Sequence, residues 1–173
     1  MDAPTTSSPA GVLPAPSFPL PAPSSPLVRT SGGPGRIAAL DVSVRVLVRA
    51  SDTAGAWALV DYTMPPRFPG PPSHIHDLAE EAFYGLDGVT TLEVEGQIVA
   101  LGPGEVAVVP RGVAHRFWNA ANVPARHLVL LTPGGFEGYF DEVARLAEAD
   151  GTWPPRDPGA LPGLMARYDL RLP

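Results

Sequence analysis

Between Phe83 and Pro133 a turn signal recurs every 8 to 10 residues, and the segments between the turns are short and apolar. FYGLDG, VTTLEVEG, QIVALGPG, EVAVVPRG, VAHRFWN and ARHLVLLTP each end on glycine, proline or asparagine. These residues close tight turns, and strands this short at this spacing are the pattern of an antiparallel barrel or two-sheet jelly roll. Parallel strands would need crossovers of a dozen or more residues, for which the spacing leaves no room. The expected fold class is therefore all-β.

The flanks agree. Val42, Val44, Val46 and Val48 recur with period two, the mark of a half-buried strand, and WALVDYTM (57–64) returns after the SDTAG turn. PPRFPGPP then interrupts pairing, because proline has no amide donor, and delivers the chain to the next segment at a rigid angle. Downstream, 136–149 (FEGYFDEVARLAEA) has apolar residues at helical spacing, and DPGALPGLMARYDL suggests a second, shorter helix interrupted by Gly163. Both helices read as covers of the β-structure. Residues 1–27 are a Pro/Ala/Ser-rich arm whose composition cannot build a core; it reads as a disordered tail, or else as an arm laid along its own domain or a dimer partner on Val12, Leu13, Phe18 and Leu20. Residues 28–173 are read as a single domain, with regular structure from near Arg36.

Composition excludes several classes of function. The net charge is −6 and the isoelectric point near 5.1, so no basic surface is available for nucleic acid. No apolar run is long enough to span a membrane, and no basic residue precedes Arg29 as a secretory leader would require, so the cytoplasm is the expected location. The absence of cysteine excludes disulfides and thiolate ligands. Any metal must then be held by histidine nitrogen and carboxylate oxygen.

That chemistry is concentrated in HIHDLAEE, residues 74–81. His74 and His76, one residue apart, lie on the same side of an extended strand and can converge on one point. Glu81 follows after a short excursion. His115 sits in a second strand-like segment, so these two stretches hold three of the four histidines. The fourth, His127, is read as a surface or interface histidine.

The two stretches resemble the paired consensus motifs of the cupin superfamily. His74, His76, Glu81 and Gly88 fit H-x-H, a four-residue gap, E, six residues, G. Gly104, Pro110, Gly112, His115 and Asn119 fit G-x5-P-x-G-x2-H-x3-N at every fixed position. The first motif departs from the pattern in its leading glycine, since Gly70 lies only four positions before His74, and in offering two adjacent carboxylates. Glu81 has the correct distance to Gly88, and Glu80 is read as its solvated neighbour. More narrowly, residues 35–173 resemble small bacterial quercetin-dioxygenase-like cupins. The resemblance implies a cupin-type antiparallel β-barrel, or double-stranded β-helix, holding one divalent transition metal on His74, His76, Glu81 and His115. It leaves Fe, Mn, Co, Ni, Cu and Zn open. Asn119 is expected to close a turn.

Strand alternation lets only some of Phe83, Tyr84, Phe117 and Trp118 face the interior. Phe83, Gly85 and Phe117 are the expected substrate-pocket residues. Gly85 replaces the branched aliphatic usual in the resembling proteins, so it reads either as an enlargement of the cavity beside Glu81 or as a simple bulge. The resemblance implies a homodimeric, metal-dependent dioxygenase of secondary metabolism, taking a hydroxylated aromatic or polyketide-type small molecule and O2, with Glu81 as base. Two alternatives stay open: a redox-neutral metal-dependent cyclase or isomerase of a biosynthetic pathway, and a non-catalytic metal- or ligand-binding cupin.

Overall fold

A computed structural model of the 173-residue chain describes residues 36–37, 41–152 and 154–173. The N-terminal arm at 1–27 lies outside the described residues. The strands are β1 (Arg36–Ile37), β2 (Val42–Val48), β3 (Ala58–Met64), β4 (Glu80–Asp87), β5 (Thr90–Val94), β6 (Gln97–Leu101), β7 (Val106–Val109), β8 (His115–Trp118) and β9 (Ala125–Thr132). They are followed by helices α1 (Glu137–Asp150) and α2 (Ala160–Arg167). All pairings are antiparallel. They form a six-stranded sheet in the order β1-β2-β3-β9-β4-β7 and a three-stranded sheet in the order β6-β5-β8.

The two sheets share one core, to which Val60, Phe83 and Val129 contribute from the larger and Leu92, Leu101 and Phe117 from the smaller. This is the jelly-roll arrangement, in which each sheet buries one face against the other. The ladders do not close into a continuous ring among the described residues. Alternation decides which side chains go inside: along β9 Ala125, His127, Val129 and Leu131 are buried, and the residues between them are not.

Two features place the helices over the sheets. Glu137, buried at the start of α1, accepts hydrogen bonds from the backbone amides of Ala50 (2.8 Å) and Gly135 (2.6 Å). At the other end Gly151, with φ of 69°, stops the helix in the left-handed conformation that glycine adopts most easily.

Gly85 is not an enlargement of the cavity. A Cβ built on it would meet the carbonyl oxygen of Gly102 at 2.0 Å and its carbon at 2.7 Å. The residue exists to let two stretches of backbone meet: its amide donates to Glu105 O, and its carbonyl accepts from the Gly104 amide, both at 3.0 Å. The β4–β9 register also shifts between Gly85 and Asp87, so a bulge accompanies the close approach. Gly85→Val is expected to destabilise the fold by about 3 kcal/mol, the upper end of ordinary overpacking. The check is the denaturant midpoint at unchanged m-value. A stable variant would show that the 102–105 turn yields.

Candidate metal centre

His74 and Ile75 are extended and bridge two separate parts of the chain. His74 exchanges both backbone hydrogen bonds with His115, each 2.9 Å, which ties the HIH segment to the first residue of β8. Ile75 exchanges bonds of 2.9 and 3.1 Å with Arg171, near the C-terminus. The carbonyl of His76 accepts the Gly112 amide at 2.7 Å, which anchors the PRG turn beside the candidate donors; Gly112 has φ of 75°, a value that favours glycine there. Glu81, second residue of β4, faces the same point. The four residues are buried, and one donor atom from each lies within 4.8 Å of the others.

The hydrogen bonds of the rings define which nitrogen faces that point. Nδ1 of His74 donates to Pro72 O (2.9 Å), Nδ1 of His76 to Asp169 O (2.8 Å), and Nδ1 of His115 to Val113 O (3.0 Å). A carbonyl can only accept, so each Nδ1 carries a hydrogen; Nε2 of His74 and His76 is left as the lone pair through which imidazole binds a metal, and Nε2 of His115 becomes one when the proton it shares with Glu81 leaves. Nε2 of His76 is sealed from solvent with no hydrogen-bond partner among the described residues. An orphaned buried acceptor costs free energy unless something satisfies it. A cation does so, and three imidazole nitrogens with one carboxylate fit a first-row transition metal with positions left open for substrate.

Electrostatics support the same donor set. Burial pushes His74 down to about 4, with further lowering from His115, so its ring is neutral near pH 7. Burial would raise Glu81, but the His115 hydrogen bond and the neighbouring histidines outweigh it and hold the carboxyl below its ordinary range. Burial would likewise lower His115, whereas its bond to Glu81 and the carboxylate charge raise it. Nε2 of His115 lies 3.0 Å from Glu81 Oε2, and Nε2 of His76 lies 3.7 Å from Oε1. Glu81 and His115 thus hold a proton between them, which a metal bound by both would replace. Glu80 is half-buried and outside this group.

Family comparison agrees with this geometry: the cupin domain family model matches residues 60–131, a span that includes all four donors. These residues are a cupin domain. Quercetin 2,3-dioxygenase of Bacillus subtilis (strain 168) is 29% identical over 113 residues, covering 65% of this chain and 33% of that protein. Tetracenomycin polyketide synthase protein TcmJ of Streptomyces glaucescens is 35% identical over 60 residues, covering 35% of this chain and 40% of that protein. The match therefore spans about a third of the dioxygenase and two-fifths of TcmJ. Among solved structures, the polyketide cyclase RemF from Streptomyces resistomycificus aligns with a TM-score of 0.53 at 26% identity, over 62% of this chain and 78% of that one.

A cavity of about 300 Å³ opens onto the cupin domain's donor set, with His74 and Glu81 in its wall. Phe83 and Phe117 line it, whereas Tyr84 is 43% exposed and Trp118 lies under the Arg116 guanidinium on the outside. Gly85 is not in the lining. The helices contribute Tyr139, Phe140 and Val143 from α1 and Leu161 and Met165 from α2, so the covers are also walls. Asn119 closes a turn: its side chain donates to Pro65 O and Val123 O (both 2.8 Å) and accepts from the Ala121 amide (3.0 Å).

His127 overturns the surface or interface assignment. It is 0% exposed, its Nδ1 lies 2.9 Å from Thr90 Oγ1, and its ring stacks on Tyr62 at 5.5 Å. Burial lowers it to about 4, so it is neutral. The alternation of ARHLVLL already grouped His127 with Ala125, Val129 and Leu131. Tyr62, Tyr139 and Asp169 are further residues at or beside the site that motif reading missed. The two tyrosines could have been found only as strand- and helix-face aromatics, and Asp169 carries no local signal.

Proposed function

We propose that this cupin domain belongs to a metal-dependent enzyme, a quercetinase-like dioxygenase acting on a hydroxylated aromatic or polyketide-type small molecule. The observation that carries the reading is Glu81: a carboxylate held ionised on the wall of an apolar cavity, within reach of three imidazole nitrogens. His74, His76, Glu81 and His115 would hold a divalent transition metal, which supplies a Lewis-acid centre for polarising a substrate oxygen. Glu81 takes the proton from the substrate hydroxyl: it is ionised, and its position lines the cavity. Phe83, Phe117 and Phe136 offer ring faces and edges to a planar substrate and exclude water from the reacting oxygen. Burial raises Tyr62, and raises Tyr139 to about 12, so both phenols remain protonated donors for a second oxygen on the substrate. A cavity near 150 Å³ accepts benzene. One of about 300 Å³ therefore encloses about two fused rings, and a longer substrate leaves its remainder at the mouth.

The similarity to TcmJ and RemF favours a second reading, redox-neutral cyclisation, in which the same proton transfer from substrate to Glu81 precedes ring closure and oxygen is not consumed. One experiment separates the two. Protein reconstituted with Fe, Mn, Co, Ni, Cu or Zn is offered flavonols and polyketide phenols while oxygen and product are followed together. Oxygen uptake stoichiometric with product is the expected result. Product without oxygen uptake establishes the cyclase reading, and no product with any metal leaves a binding protein.

A further inference from the structure

The segment after α2 reaches back across the molecule to the metal-ligand strand. Asp169 stands in the left-handed region, with φ of 54°, a conformation that residues other than glycine adopt at an energetic cost. What it gains there is a set of four bonds. Its carboxylate accepts from three consecutive amides of the loop between His76 and Glu81: Asp77 N at 3.2 Å, Leu78 N at 2.8 Å and Ala79 N at 3.0 Å. Its backbone carbonyl accepts from His76 Nδ1 at 2.8 Å. One residue thus sets the ring orientation of one donor and the path of the chain to the next.

We infer that Asp169 is a positioning residue of the metal centre, through which the cavity cover is coupled to the His76–Glu81 donor pair. The inference rests on the four residues being a metal site. Two further contacts fix the strap on the donor side: Arg171 pairs in antiparallel fashion with Ile75 and forms a bidentate ion pair with Asp77, at 2.7 and 2.9 Å. On the cover side, Tyr168 at the end of α2 donates to Glu142 of α1 at 2.6 Å, and Arg167 bonds the same carboxylate. Met165, about one turn earlier, and Leu161, about two, line the cavity. The chain of contacts is therefore continuous from cavity wall to α2, to Asp169, to the ring of His76. Linkage requires that a metal ion held by His76 also steady the cover, and that a cover steadied by other means raise metal affinity.

The test uses the full chain, Co²⁺ and Zn²⁺ alone, and two variants. Asp169→Gly removes the carboxylate but keeps the carbonyl to His76, and glycine relaxes at φ of 54°, so the backbone is not strained by the change. Asp169→Asn keeps an oxygen acceptor and tolerates the same conformation. Metal affinity is measured by competition with a chelator, donor geometry by the visible spectrum of the Co²⁺ protein, and the cover by hydrogen exchange over residues 160–171. Asp169→Gly is expected to lower affinity by about tenfold or more, the scale on which supporting residues of metal ligands act. It should also alter the Co²⁺ spectrum and abolish the metal-induced protection of 160–171 expected of the wild type. Asp169→Asn should restore affinity to within about threefold. Wild-type affinity and an unchanged Co²⁺ spectrum in Asp169→Gly would overturn the inference while leaving the metal centre standing. Failure of the wild-type protein itself to take up either ion would overturn the centre and the inference together.

Discussion

His76→Ala and His115→Ala are each expected to lose most of their bound metal while the two-sheet fold survives. Each change removes one of four donors, and with it one metal–nitrogen bond of the centre. The fold survives because the donors stand at a wall that Phe83, Leu92 and Val129 already support from the core. The two variants should nonetheless differ without metal. His76 makes one hydrogen bond through its ring, to Asp169 O, and carries an unsatisfied Nε2. Its removal exchanges one modest bond for the loss of an orphan, at a cost of roughly 1 kcal/mol. His115 is the partner of Glu81 at 3.0 Å, and without it the carboxylate is buried beside no close donor. Loss of a buried ionic partner costs about 3 kcal/mol or more. Metal content after exhaustive dialysis, with thermal midpoints of apo and metal-loaded protein, checks both statements: the wild-type midpoint rises with metal, and neither variant follows. Full occupancy in both variants would sink the four-residue centre.

Much of this could be read from the chain because local chemistry and global placement agree. Turn residues at 8- to 10-residue spacing bound the strands from β4 to β9, since a glycine or proline acts wherever the rest of the fold goes. Alternation sorted the aromatics, with Phe83 and Phe117 on the buried side of strands whose Tyr84 and Trp118 face out. What failed was long-range. His127 is interior because β9 lies between β3 and β4, and a lone polar residue in an apolar alternation does not announce how many neighbours its strand has. Gly85 was open to two readings, because a glycine shows that something approaches without showing what; the answer is the backbone of Gly102. Asp169 is 93 residues from the histidine it orients, and its role follows only from the return of the chain after α2. The convergence of His74, His76, Glu81 and His115 was legible. The residues that aim it were not, because spacing constrains neighbours in sequence and says nothing of a strap arriving from the far terminus.

Glu81→Gln separates a base from a ligand. Glutamine has the size of glutamate and keeps one side-chain oxygen for a metal, and its amide can donate to Nε2 of His115, so the contact across 3.0 Å persists in neutral form. What disappears is the basicity. In the wild type the His115 hydrogen bond and the surrounding histidines overcome the effect of burial and hold the carboxyl below its ordinary range, so at neutral pH it is ionised. If Glu81 takes the substrate proton, the variant retains substantial metal and binds substrate, yet turnover per bound metal falls by about 10²-fold or more, the scale of a positioned general base. The loss should appear in kcat with little change in substrate affinity, because Phe83 and Phe117 still line the cavity. If Glu81 serves only to hold the metal, activity and metal content fall in proportion, and turnover per bound metal stays near the wild-type value. Measuring both quantities on the same preparation decides between them, and near-normal turnover per metal would remove the proton-transfer role from Glu81 in the dioxygenase and cyclase readings alike.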